Sequence, residues 1–151
     1  MSETRTSWIE LALVAAIAGM LLIVALPGLL SGKKPVNEEE AVAALRTLNT
    51  IEVSYQNRHP TKGFTCSLDE LYQDGLIDAK IAGGTRSGYR LASSGCRSNS
   101  PKSSVITDYE WYADPVSSET GTRHFCTDQG GVIRGSDIYS RHDCVTFGSE
   151  L

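Results

Sequence analysis

From Trp8 to Leu30 the chain runs for 23 residues with one charged side chain, Glu10. A helix rises about 1.5 Å per residue, so this stretch is long enough to cross roughly 30 Å of hydrocarbon. Nothing else in the sequence restricts the fold as strongly, because such a segment has to be covered by lipid or by other apolar helices. A carboxylate at the head of the span is costly unless a positive or hydrogen-bonding group meets it, which marks Glu10 as a functional residue. Near the other end, Pro27 has no N–H for the carbonyl of Ile23, and Gly28 follows it. The helix is expected either to kink there or to end.

After Leu30 come 121 residues, enough for one ordinary domain. The part from Ser31 onward carries 16 acidic and 13 basic side chains, a net charge of -3, with no basic stripe of the kind that binds nucleic acid. All four cysteines, Cys66, Cys96, Cys126 and Cys144, fall in this part. An even number in a Ser-, Thr- and Gly-rich domain fits two disulfides formed outside the cytosol; the alternative is four free thiols in a cytosolic core. Arg5 and the α-amine before the span nearly balance Lys33 and Lys34 after it, so the cysteines decide the orientation: N-terminus inside, domain outside. A cleaved secretory signal would have a shorter apolar core and more positive charge ahead of it. The organisation expected is a short leader-like segment (1–5), a membrane helix (6–30) and an extracytoplasmic head (31–151).

Beyond the short polar joint at Ser31–Pro35, Asn37 and Glu40 have capping-box spacing, which starts a second helix near Glu38. His59-Pro60 stops it after about Asn57. Ala41, Ala44, Leu45, Leu48, Ile51 and Tyr55 recur at intervals of three and four and form an apolar face, with Arg46, Asn49 and Glu52 assigned elsewhere. Such a face needs a partner, most simply a sheet. Ser67-Leu68-Asp69-Glu70 is a full capping box and Gly75 suits a left-handed terminus, giving a two-turn helix over Leu68–Asp74, with another short turn at Asp78–Ile81.

From Gly88 the pattern alternates: Tyr89-Arg90-Leu91-Ala92, then Tyr109, Trp111 and Ala113 on one face with Glu110 and Tyr112 on the other. Arg123–Thr127 and Val132–Arg134 flank Asp128-Gln129-Gly130-Gly131, a hairpin connection. The expectation is α+β, with an antiparallel sheet of three or four strands packed on the long helix and an irregular tail from Ser136 held by Cys144.

Little here points to chemistry. His124-Phe125-Cys126 and His142-Asp143-Cys144 have two imidazoles and two thiols, a donor set that suits zinc, but His-x-Cys is not a common structural-zinc spacing and oxidised cysteines do not ligate. Pairing Cys126 with Cys144 and Cys66 with Cys96 makes two local staples, although four cysteines allow three connectivities. Asp114, Glu119, Asp128 and Asp137 are loop acids with calcium-type oxygens, and scattered acids of this kind are ordinarily solvated. Neither a metal nor a cofactor is assigned. With no nucleophile elbow, HExxH or phosphate-cradling loop present, the chain is not read as an enzyme.

Thr6-Ser7-Trp8-Ile9-Glu10-Leu11, followed by the apolar run with Gly19 and Ala25-Leu26-Pro27, resembles the start of bacterial type IV pilins and of the pseudopilins of type II secretion. The likeness covers about 25 residues, and the later segments are similar in order: helix, connecting αβ segment, antiparallel sheet, cysteine-bounded C-terminal region. The resemblance implies a pilin fold and a subunit that polymerises through its apolar helix. It also implies that a prepilin peptidase cuts between Arg5 and Thr6 and methylates the new N-terminus, whose ammonium neutralises Glu10 of a neighbouring subunit. This chain has Arg5 where the family has Gly; if the leader stays, Arg5 of a neighbour is the alternative counter-ion. Pro27 and Gly28 match the place where pilin helices lose regularity inside filaments. Partners implied are other copies of the chain, the inner membrane before assembly and the assembly machinery within it. The rival expectations are a membrane-anchored extracytoplasmic binding or adhesion domain that never polymerises and a type II secretion pseudopilin.

Overall fold

The computed structural model describes residues 12–17, 32–137 and 141–151. The chain divides into two compact units, Met1–Lys33 and Lys34–Leu151. In the first, residues 12–17 are helical and Leu13, Val14 and Ile17 are exposed. The rest of the expected Trp8–Leu30 span lies outside the described residues, among which no helix is long and apolar enough to cross a membrane.

The second unit is α+β. Its long helix α1, Lys33–Arg58, turns Ala41, Ala44, Leu45, Leu48, Glu52 and Tyr55 inward. It begins earlier than the capping residues suggest. Pro35 is harmless there, since the first-turn N–H groups of a helix have no intrahelical acceptor in any case. Asn37 does not cap the helix but donates from Nδ2 to the carbonyl of Thr120 at 2.8 Å. One turn on, the Glu40 carboxylate meets Arg86 at 3.1 Å.

The chain then forms α2, Leu68–Gln73, and α3, Ala79–Ala82. Ser67 caps α2 by accepting from the N–H of Glu70 at 3.2 Å. The reciprocal half of the box is missing: the N–H of Ser67 donates to the Thr65 hydroxyl instead, at 3.2 Å. Gly75, with φ of +70°, turns the chain off α2 in the left-handed region. Asp78 caps α3 through the N–H groups of Lys80 and Ile81.

Six antiparallel strands follow in sequential order: β1, Thr85–Arg86; β2, Tyr89–Arg97; β3, Asp108–Pro115; β4, His124–Asp128; β5, Ile133–Ser136; and β6, Ser149–Glu150. The expectation of three or four strands is thus corrected, because both two-residue edge strands are too short to show alternation. Ser87 and Gly88, with φ of 47° and 76°, form the two-residue turn joining β1 to β2, where positive φ at both positions suits the twist of the strands. The tail is also more regular than expected. Helix α4, Arg141–Phe147, precedes β6, which pairs Ser149 with Gly135 and Glu150 with Arg134.

Alternation gives the sheet two covered faces. Tyr89, Leu91, Tyr109, Trp111, Ala113, Phe125 and Ile133 join the buried residues of α1 in the main core. Tyr112, Cys126 and Cys144, with Val145 against them, form a smaller core on the other side. Leu48 is fully buried beneath the centre of α1. Leu48→Ala should destabilise the domain by about 2–5 kcal/mol, read as a lower urea midpoint by near-ultraviolet circular dichroism; a midpoint unchanged from the parent would contradict the packing described.

Candidate functional site

Of the residues singled out from the sequence, Arg5, Thr6, Glu10, Pro27 and Gly28 lie outside the described residues. The four cysteines form two bridges, Cys66–Cys96 and Cys126–Cys144, spanning 30 and 18 positions of sequence. The first joins the segment ahead of α2 to the end of β2. The second ties α4 onto β4 inside the smaller core.

The feature missed in the sequence is a buried polar node between α1 and the sheet. Glu52 has no solvent exposure. One of its carboxyl oxygens accepts from Trp111 Nε1 on β3 at 2.9 Å and the other from the backbone N–H of Thr65 at 2.9 Å. Burial, partly offset by the Thr65 and Trp111 hydrogen bonds, pushes its pKa up from the ordinary 4.5 to about 7, and the neighbouring Glu70 carboxylate adds to the rise. The structure corrects the placing of Glu52 away from the apolar face: it stands four residues from Leu48 and three from Tyr55. Counting from those neighbours, rather than from residue type, places it on the inner face.

Asn49 also turns inward. It accepts from the Tyr109 hydroxyl at 3.0 Å and donates to Thr127 Oγ1 at 2.8 Å and to the Gly131 carbonyl at 3.2 Å. Outward from Glu52, the Glu70 carboxylate accepts from Thr65 Oγ1 at 2.7 Å and from the Tyr55 hydroxyl at 3.0 Å. The Thr65 bond, opposed by burial and then reinforced by the Tyr55 bond and by the charges of Lys62 and His59, holds Glu70 below the ordinary carboxylate value. The two carboxyls are therefore pushed in opposite directions by surroundings that share Thr65. Beside this node is an open groove of about 450 Å³ whose wall includes Tyr55, Lys62, Thr65, Glu70 and both cysteines of the Cys66–Cys96 bridge.

On the other face of the sheet, Glu110 accepts from Ser94 Oγ and from the Tyr112 hydroxyl, both at 2.7 Å, and from Arg97. Burial works to raise its pKa, but these three bonds and the Arg97 charge prevail and hold it below the ordinary value. The cluster sits where β2 shifts register against β3 between Ser93 and Gly95, so it pins the bulge. The two His-x-Cys pairs cannot supply zinc-binding thiolates, because their sulfurs are bonded to each other, and His124 Nδ1 is 2.9 Å from Asp114 Oδ1. The four acids expected in loops do not gather either: Asp114 and Asp128 stand on β3 and β4 rather than in loops, and Asp128 and Asp137 lie 3.6 Å from Arg134 and 3.7 Å from Arg123. Among the described residues no group of three or more His, Cys, Asp or Glu is placed to hold a metal ion.

No protein-family model, curated protein or solved structure matches the chain.

The Glu52 node makes stability depend on pH. An unfolded Glu52 releases its proton near 4.5 and the folded one near 7, so between those values the native state holds a proton that the unfolded state does not. This contribution is complete below pH 4.5 and is lost as pH rises through 7, with an amplitude of about 3 kcal/mol. Glu52→Gln should flatten that dependence, and because an amide nitrogen cannot accept from Trp111 or Thr65 it should cost about 1–3 kcal/mol at low pH. Urea titrations of both forms from pH 4 to 8 test this, and equal slopes would contradict it.

Proposed function

We propose that this chain is a structural subunit of a type IV pilus or pilus-like filament. The observation that carries the reading is the segment Thr6-Ser7-Trp8-Ile9-Glu10-Leu11 heading an apolar run with one charge that continues to Leu30 and is interrupted near its end by Pro27-Gly28. The order of the head supports it: a long helix beginning at Lys33, then an antiparallel sheet and a disulfide-tied C-terminal region. On this reading the apolar helices pack into a filament core by head-to-tail contacts that do not close into a ring. Glu10 is met by a positive group of a neighbour, and the heads cover the outside.

Two sources of that positive group are available. Cleavage after Arg5 gives the ammonium of Thr6; retention of the leader leaves Arg5 itself. Within one helix Arg5 and Glu10 point to different sides, since a spacing of five is neither three nor four. The pairing is therefore between subunits. A second reading, a membrane-anchored binding domain that stays monomeric, is favoured by one observation, Arg5 at the position where the family has Gly.

Glu10→Leu separates the two. In a filament subunit it should leave membrane insertion intact while the chain recovered in the filament pellet falls to background; undiminished recovery would sink the proposed pairing. Intact mass of the pelleted chain identifies the counter-charge: loss of Met1–Arg5 assigns the Thr6 ammonium, and a full-length chain assigns Arg5.

A further inference from the structure

The two disulfides differ in what surrounds them. Cys126 and Cys144 are 0% and 1% exposed, sealed between the sheet and α4 with Tyr112 and Val145 against them. Cys66 and Cys96 are each partly exposed, and both line the open groove of about 450 Å³ beside α2. A thiol reaches the first bridge only if α4 lifts, whereas it reaches the second from solvent.

We propose that Cys66–Cys96 is a thiol–disulfide exchange site, open to low-molecular-weight thiols while the domain stays folded. An incoming thiolate attacks one sulfur of the bridge, the Cys66–Cys96 bond breaks, and its electron pair leaves on the other cysteine, which takes a proton from solvent. A second thiol attacks the mixed disulfide and releases the first cysteine. Two thiols are thereby oxidised to one disulfide, and the bridge gains two electrons and two protons.

Opening this bridge need not unfold the domain, because the segment ahead of Cys66 has other attachments. The N–H of Phe64 donates to the carbonyl of Ile106 at 3.0 Å, and the N–H of Ile106 to the carbonyl of Lys62 at 2.8 Å. The N–H of Thr65 donates to Glu52 at 2.9 Å. Exchange therefore removes the covalent tie between Cys66 and the end of β2, at the edge of the main core, while these bonds and those of Ser67 to Thr65 and Glu70 keep the segment in place.

The full chain is treated with increasing dithiothreitol without denaturant, quenched with iodoacetamide and mapped by peptide mass, with circular dichroism recorded in parallel. Cys66 and Cys96 should be alkylated at least about tenfold faster than Cys126 and Cys144, with the folded spectrum retained. Labelling of Cys126 and Cys144 first or together with the others, or labelling only after the spectrum is lost, overturns the proposal. In a folded Cys66→Ser/Cys96→Ser variant the early labelling should vanish; equally fast labelling of Cys126 and Cys144 there would overturn it as well.

Discussion

The head depends on the seating of α1 against the sheet, and the interaction that fixes that seating is the burial of Glu52. Apolar contacts from Leu45, Leu48 and Tyr55 bring helix and sheet together without specifying a register, because dispersion and area burial are non-directional. Two hydrogen bonds to one carboxyl are directional. They tie α1 at once to the indole of Trp111 on β3 and to the backbone of Thr65 ahead of α2. A helix slid by one turn would leave a carboxyl, an indole N–H and a peptide N–H buried and unpaired, each at a cost of about 1–3 kcal/mol.

From that contact the rest follows outward. With Thr65 held, its hydroxyl is free to meet Glu70, and Glu70 in turn accepts from Tyr55 one turn along α1. The near end of α1 is fixed differently, by Asn37 on the Thr120 carbonyl and by Glu40 on Arg86. The long helix is thus pinned by polar contacts at its start, at Glu52 in its second half and at its last residue, where Arg58 donates to the Asp74 carbonyl at 2.9 Å. Behind the sheet, the Cys126–Cys144 bridge replaces helix burial: α4 is only seven residues long, too short to bury much apolar area, and the covalent tie keeps it down. Its closed loop is worth roughly 3 kcal/mol by chain entropy.

Much of this is legible in the sequence, and the failures have physical reasons. Ser67, Asp78 and Gly75 carry their meaning locally, because a cap or a left-handed residue is decided by its own few neighbours. The faces of β3 follow from alternation, which puts Tyr109, Trp111 and Ala113 on α1 and Glu110 and Tyr112 behind. Glu52 is misread because residue type argues for solvent, and only its partners, 13 and 59 positions away, make burial tolerable. Asn37 has the right spacing for a cap but finds a carbonyl 83 positions away. The edge strands β1 and β6 escape notice because two residues have no period. For Glu10 the order is reversed: the sequence alone marks it, and what meets it is assigned by proposal.

Glu52 and Glu10 pose one physical problem twice. A carboxyl in an apolar setting needs donors, and Glu52 finds them within its own chain. Glu10, in a stretch with no other charge, has no cation at helical spacing in its own sequence, and on the filament reading its need is met by another subunit. The central claim is therefore that this chain assembles, and the most direct measurement is electron microscopy of material sheared from cells that express it, with the particles identified by peptide mass. The account predicts thin filaments in which this chain is the principal protein. Cells that hold the chain only as membrane-bound monomers, with no filaments in the sheared fraction, would contradict it.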